Sequence, residues 1–287
     1  MILIGIIVAL IGATSFTNFG PSYFGLNWDP PQNQWGIGVF VIGSFLTSVP
    51  ALILSMVLGL AIAIASTVYL PAFASRVLDP FVDLLAGIPS VVYGIWAFIL
   101  VAPFFGGTLE PWLVGHVAWI PGFGPPIESN GLRVLLAIFI LTLMSLPITT
   151  LLIRDALRAV PRDLWESGLA LGATRWEVVT RVAVPYGRRG IYSAAFLGFG
   201  RAFGETVAVA MIIGSATRLP SNAYGIGNTM PATMFELLDS AIGGTGSTHF
   251  LSALAEMGCV LLAIALVVNI VGRRLISTLY QEPVQGL

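Results

Sequence analysis

The sequence contains no lysine, and all thirteen of its basic residues are arginine. A P-loop needs the lysine of its Gly-Lys-Ser/Thr end to reach the β- and γ-phosphates of ATP. A chain without lysine is therefore excluded from hydrolysing ATP by that route. Any ATP-driven work that involves this chain must be done by a partner.

Cysteine, histidine and charge are also scarce. The single cysteine, Cys259, lies in an apolar run, which excludes an internal disulfide and favours a small packing residue. His116 and His249 lie in different loops without a nearby cysteine or histidine, so no metal site is indicated. Charged residues make up only 9% of the 287 residues, whereas hydrophobic residues make up 56%. A chain of this composition has lipid as its main solvent, and we predict an all-α, polytopic membrane protein.

Six segments approach the length of about 20 apolar residues that one membrane crossing requires. The first begins at Met1 without a basic flank, and we interpret it as a helix because no convincing signal-peptide cleavage site follows it. The expected organisation is a single transmembrane domain over residues 1–287. The predicted helices span residues 1–16, 39–63, 81–102, 133–153, 191–214 and 251–271.

The distribution of arginine predicts the orientation of the chain. Arg76 lies in the second connection, seven arginines lie in the connection at 154–190, and Arg273 and Arg274 follow the last segment. Because positive charge accumulates on the cytoplasmic side, we expect both termini and the 154–190 loop to be cytoplasmic, with the chain in the plasma (inner) membrane.

The connections on the other side have a different composition. Residues 27–34, 121–126 and 219–228 are rich in proline, glycine and asparagine, which turns require. These loops could seal the outer mouth of a pathway or receive an external partner, and the sequence does not choose between the two.

The 154–190 loop carries dense signals for two short helices. Asp163 followed by Glu166 predicts a first helix, capped by Asp163, that runs to Leu171 and is interrupted by Gly172. Thr174 with Glu177 repeats the capping-box spacing before a second helix, which we expect Pro185 to end. One face is expected to carry Leu164, Trp165, Gly168 and Leu169 in the first helix, and Trp176, Val179 and Ala183 in the second. Such a loop is folded and offers a surface to a partner.

The same loop resembles the E-A-A-x3-G-x9-I-x-L-P signature of ABC importer permeases. The residues at the signature positions are Glu166, Ser167, Gly168, Gly172, Val182, Val184 and Pro185. The spacing is complete, and the differences exchange small for small and aliphatic for aliphatic residues. In that family the motif forms the coupling helix, which docks in a groove of the ATPase subunit. The resemblance assigns this contact to Glu166, Ser167, Gly168, Leu169, Gly172, Ala173, Thr174 and Pro185. The alternative is an ordinary amphipathic loop on the membrane surface.

Two further passages narrow the resemblance. Residues 86–94 (AGIPSVVYG) and 200–214 (GRAFGETVAVAMIIG) are similar to passages of PstC-like permeases of ABC phosphate importers. The resemblance extends over nearly the whole chain from Trp28 onward. It implies a type I importer (MetI-like) fold with six transmembrane helices, working by alternating access.

The resemblance also implies partners. The coupling loop occurs once, so this chain would supply half of a pathway, and a PstA-like permease would supply the other half. A PstB-like ATPase dimer would hold ATP and magnesium, and a PstS-like phosphate-binding protein would dock outside. This chain itself would bind no cofactor and catalyse no reaction.

Arg201 and Glu205 are charged residues deep in the fifth apolar segment. On a continuous helix from Ile191 they would lie roughly 15 to 21 Å from its inner end, near the middle of a core about 30 Å thick. Charges at that depth cost at least about 2.5 to 3.5 kcal/mol and usually mark a pathway. The i, i+4 spacing would place both on one helix face. A purely structural ion pair is the alternative, supported by the G-x-x-x-G spacing of Gly200 and Gly204.

The chemistry of this pair suits phosphate. Arg201 offers a planar fork of donors to the oxygens of a dianion. Glu205 could accept the proton that hydrogen phosphate retains and sulfate lacks, so sulfate would be repelled by the carboxylate. We expect Arg201 and Glu205 to line the substrate pathway. Asp83 and Glu256 are expected to be interfacial instead.

Two rival interpretations remain open. A permease for sulfate, molybdate or tungstate would use the same coupling loop. A channel or a secondary transporter would need no ATPase and would show carboxylates or broken helices in paired repeats. The folded loop and the single Arg201–Glu205 pair argue against the second rival.

Overall fold

The computed structural model describes residues 20–125, 131–243 and 248–281, and most of these residues are helical. The sequence-predicted helix at 1–16 lies outside the described residues. Within the described ranges, four helices are long and apolar enough to cross a membrane. They are Gly38–Tyr69, Ser90–Val117, Val134–Arg158 and Phe250–Thr278.

The helices are numbered here in chain order. They are α1 (Gly38–Ile64), α2 (Ala72–Ala86), α3 (Ser90–Val117), α4 (Val134–Arg158), α5 (Arg162–Ala170), α6 (Arg175–Val178), α7 (Val184–Phe203), α8 (Val207–Ile212), α9 (Met230–Ile242) and α10 (Thr248–Gln281). A π turn, Ala65–Tyr69, extends α1, and another, Val179–Ala183, joins α6 to α7. Two π turns lie within α3, at Ala97–Val101 and Phe105–Leu109. Two short strands, β1 (Trp28–Asp29) and β2 (Gln34–Trp35), pair antiparallel.

Two of the six segments predicted from the sequence are divided in the structure. The predicted segment 81–102 is split between α2 and α3, because Pro89 disfavours a helical conformation for the residue before it. The predicted segment 191–214 is interrupted at 204–206, between α7 and α8. The predicted segments 39–63 and 251–271 lie inside α1 and α10, and the predicted segment 133–153 begins one residue before α4 and otherwise lies inside it.

The chain forms two compact units. The first unit is built from the described residues of Met1–Pro50, Pro89–Leu141 and Phe203–Ala265. In this unit the ring of Trp28 packs edge to face against Trp35 and Phe40, with ring centroids 5.5 Å and 5.3 Å apart. The hydroxyl of Tyr23 donates a 2.6 Å hydrogen bond to the carbonyl of Ala253.

The second unit is built from the described residues of Ala51–Ile88, Thr142–Ala202 and Leu266–Leu287. Its core joins the ends of α1 and α4 to α5 and to the π turn that precedes α7. The buried members are Ala63, Ile64, Ile153, Leu157, Val160, Val179, Ala183 and Ala194. Leu164 and Trp165 of α5 pack against this cluster, so the loop is folded onto the helices that it connects.

Candidate functional site

The turn between α5 and α6 is a tight elbow at Gly172. Gly172 has φ +89°, a left-handed conformation that glycine adopts without steric cost. Its N–H donates to the carbonyl of Leu169 at 3.0 Å, and the N–H of Ala173 donates to that of Gly168 at 3.2 Å. These bonds satisfy carbonyls that the end of α5 would otherwise leave unpaired.

The capping box predicted for the second short helix is confirmed. The Thr174 hydroxyl oxygen accepts a 3.3 Å hydrogen bond from the N–H of Glu177, and the Glu177 carboxylate accepts a 2.8 Å bond from the N–H of Thr174. This backbone N–H, followed by the Thr174 hydroxyl, holds the pKa of Glu177 below its usual value. The cap predicted for the first short helix is wrong. α5 begins at Arg162 after Pro161, so Asp163 lies inside the first turn, and the N-terminus of α5 has no side-chain cap.

Gly168 lets the two short helices approach each other. A Cβ at Gly168 would lie 2.9 Å from a methyl group of the buried Val178 side chain, so a small residue is required at this position.

The outward side of the elbow is apolar, since Leu171 is 88% and Trp176 57% exposed. The helical pattern predicted that Trp176 shares a face with Val179. This prediction is wrong, because Trp176 is exposed and Val179 is buried. Leu169 is exposed as well, whereas Leu164 of the same predicted face packs inward.

Pro185 does not end the second short helix, contrary to the prediction. The chain stays helical from Arg175 through the π turn into α7, and the N–H of Val184 donates to the carbonyl of Val179. Proline has no backbone N–H to donate to the preceding turn of a helix. The wider hydrogen-bond pattern of the π turn lets the helix continue past this missing donor. Pro185 thus lies in the first turn of α7.

An ion-pair network that the sequence reasoning missed ties α2 to the end of α4. The guanidinium of the buried Arg154 lies 2.8 Å from the Asp79 carboxylate and 3.1 Å from that of Asp83. Arg158 lies 2.6 Å from the other oxygen of Asp79. Burial alone would raise the pKa of Asp79, but hydrogen bonds from Arg158 and Arg154 and their charges outweigh it and lower the pKa. A sequence reveals opposite charges that are spaced three or four residues apart within one helix. This network joins two helices, so no such spacing indicates it.

Arg201 and Glu205 do not lie on one continuous helix. Arg201 is in the last turn of α7, and Glu205 follows the end of that helix, so the predicted i, i+4 face is absent. The Nε atom of Arg201 is buried and has no hydrogen-bond partner among the described residues. The Glu205 carboxylate accepts a long, 3.5 Å hydrogen bond from the N–H of Ala208. A Cβ at Gly200 would meet no described atom within 4 Å, so the described residues do not show the close helix packing that the G-x-x-x-G spacing would favour in the structural alternative.

The first unit contains a buried ion pair that the sequence reasoning also missed. Glu110 and Arg133 both have side chains with 0% exposure, and a carboxylate oxygen of Glu110 lies 2.7 Å from Nε of Arg133. Arg133 also donates a 2.9 Å hydrogen bond to the carbonyl of Tyr224, within the 219–228 loop. The same loop contacts residues before position 126, because the amide of Asn222 donates to the carbonyl of Gly124 at 2.9 Å. Glu256, which was expected at an interface, is buried in α10.

The two short passages at 86–94 and 200–214 meet in the first unit. Gly94 of α3 faces α8, where an added Cβ would lie 2.8 Å from Sδ of Met211 and 3.1 Å from Cα of Ala208. Glycine at this position is therefore needed for α3 and α8 to pack closely.

Residues 55–279 match the family model of the binding-protein-dependent transport system inner membrane component. The match covers most of the chain, which therefore belongs to this family and is the membrane component of a transport system rather than an enzyme. A structure of the MetNI methionine ABC transporter shares the fold, with a TM-score of 0.60 and 19% identity over 88% of this chain and 99% of that chain.

Several relatives within the family carry one specific name. The chain is 33% identical to the phosphate transport system permease protein PstC of Mesorhizobium japonicum, over 93% of this chain and 85% of the relative. It is 32% identical to PstC of Haemophilus influenzae, over 98% of this chain and 89% of that protein. It is 35% identical to PstC 1 of Mycobacterium tuberculosis, over 86% and 74%.

Proposed function

We propose that this chain is the PstC-like permease subunit of an ATP-driven importer of inorganic phosphate. The observation that carries the proposal is the similarity to PstC of Mesorhizobium japonicum, which spans 93% of this chain and 85% of the relative. The chain forms half of the translocation pathway as a single domain of six transmembrane helices. It lies in the plasma (inner) membrane with both termini on the cytoplasmic side.

The elbow of α5 and α6 is proposed as the coupling helix. The exposed Leu171 and Trp176 give it an apolar contact surface, and the Gly172 turn and the Thr174 cap hold that surface in a fixed shape. We propose that it docks on a PstB-like ATPase dimer, which holds ATP and magnesium. The packing of Leu164 and Trp165 against the ends of α1 and α4 supports transmission of ATPase movement into membrane-spanning helices.

The remaining subunits complete the proposed pathway. A PstA-like permease supplies the second half, and a PstS-like phosphate-binding protein delivers phosphate from outside. Arg201 and Glu205 are proposed to line the route. The buried Nε of Arg201, which has no partner among the described residues, supports a role in holding an anion.

The proposal is tested by measuring ATP-dependent uptake of radioactive phosphate in cells that carry Arg201→Gln or Glu205→Gln. Arg273→Gln removes an exposed arginine from α10 and serves as the matched control. Copurification with the partner subunits establishes assembly of each variant. We expect uptake to fall at least tenfold in Arg201→Gln and to stay near the parent rate in the control. Normal uptake in both pathway variants would refute the assignment of the route.

Competition separates the rival substrates. Excess unlabelled phosphate should abolish the uptake, whereas sulfate, molybdate and tungstate should leave it unchanged. Competition by one of those oxyanions instead of phosphate would show that the proposed substrate is wrong.

A further inference from the structure

We propose that α2 is an interfacial helix whose apolar face lies in the lipid headgroup and acyl boundary of the bilayer. Phe73, Val77, Phe81 and Leu84 have exposed fractions of 60% to 80% in the structure. Their spacings of four, four and three residues place them on one side of the helix. The face is therefore a continuous stripe of large apolar side chains.

The opposite side of α2 is fixed to the protein. Asp79 and Asp83 form ion pairs with Arg154, and the Ser75 hydroxyl donates a 2.9 Å hydrogen bond to the carbonyl of Ser66. Val82, on the same side, is buried. These contacts prevent the helix from rotating its apolar stripe into the core of its own unit.

The chain on either side of α2 holds it at the membrane boundary. Only Leu70 and Pro71 separate it from the membrane-spanning helix Gly38–Tyr69, and only residues 87–89 separate it from Ser90–Val117. Three extended residues reach about 10 Å, so α2 cannot move far from the ends of these two spans. Its ion-pair partner Arg158 is the last residue of a third span. A bilayer boundary is thus within reach of the stripe.

The residue types of the stripe favour contact with lipid over contact with a second membrane protein. Helices that pack together in membranes use small residues at their contacts, which let the backbones approach. The exposed stripe consists of phenylalanine, valine and leucine, the types found on the apolar face of helices that lie in the plane of the interface. Arg76 is exposed and adjacent to Val77 in the sequence, and its guanidinium can lie among the lipid headgroups.

The test uses spin labels in the complete transporter reconstituted into phospholipid vesicles. In a Cys259→Ser background, single cysteines replace Val77, Leu84 or, as the matched control, Arg76. Labels at Val77 and Leu84 should collide at least threefold more often with oxygen, which partitions into lipid, than with a water-soluble nickel chelate. They should lie roughly 5 to 10 Å deep in the headgroup and acyl boundary. The label at Arg76 should show the reverse preference.

Other accessibilities would overturn the proposal. Labels at Val77 and Leu84 that are shielded from both reagents would show that protein, and not lipid, covers the stripe. Preference for the nickel chelate would show that the stripe faces water. A photoactivatable phospholipid applied to the unsubstituted transporter gives an independent measurement. Adducts within Phe73–Leu84 are expected, and adducts confined to the four spans would contradict the proposal.

Discussion

Replacing Glu110 by glutamine removes the carboxylate charge that lies against the guanidinium of Arg133. Both side chains are fully buried, and the two charges lie 2.7 Å apart. Removing one partner of a buried ion pair destabilises a protein by about 3 to 5 kcal/mol, because the remaining charge cannot be solvated. Each kcal/mol shifts the melting temperature of a domain of this size class by about 2 to 4 °C. We therefore expect Glu110→Gln to lower the apparent melting temperature in detergent by about 10 °C.

A double variant separates the charge effect from lost packing. Replacing both Glu110 and Arg133 by methionine removes the two charges together and retains apolar volume, which is often nearly neutral for a buried pair. We expect the double variant to recover at least half of the lost melting temperature. Arg181→Gln breaks the exposed pair with Glu177, which solvent screens, and should leave the melting temperature nearly unchanged. A single variant that melts within 2 °C of the parent (about 1 kcal/mol or less), or a double variant as unstable as the single, would refute this reasoning.

Four other substitutions probe the second and first units through their melting temperatures. Gly172→Ala places a side chain at φ +89° and should cost roughly 1 kcal/mol or more, with less ATPase recovered on copurification; unchanged recovery would contradict the role of the elbow. Thr174→Ala removes the cap of α6 and should cost about 1 kcal/mol, which Thr174→Ser should largely restore. Asp79 has a lowered pKa, so its ionised form stabilises the fold above the unfolded pKa of about 4, and this stabilisation is lost as the pH falls through the lower folded value. Asp79→Asn should therefore melt lower at neutral pH and lose less stability on acidification than the parent; parallel pH profiles would argue against the ion pairs. Gly94→Leu overfills the contact of α3 with α8 and should cost about 1 to 3 kcal/mol, whereas Gly107→Ala, where an added Cβ meets no described atom within 4 Å, should be near neutral.

Local features of the coupling loop could be predicted from the sequence because they depend on neighbouring residues. The capping box of Thr174 and Glu177 needs only a three-residue spacing, and the turn at Gly172 needs only a residue that tolerates positive φ. The apolar cores of α1 and α4 were likewise evident from runs of hydrophobic residues. Each of these signals is complete within one helix or one turn.

Features that depend on contacts between distant residues could not be predicted. Glu110 and Arg133 are separated by 23 positions, and nothing in either segment indicates that they pair. The break after Phe203 has no proline to mark it, so Arg201 and Glu205 were placed on one continuous helix. Pro185 gave the opposite error, because the π turn before it lets the helix continue.

The most direct test of the proposed function is affinity purification of the tagged chain from mild detergent, followed by mass spectrometry. We predict that an ATPase and a second, PstA-like permease copurify with it in stable proportion. Recovery of the chain with neither of these proteins, from membranes in which both are present, would contradict the claim that it is the permease subunit of an ATP-driven importer.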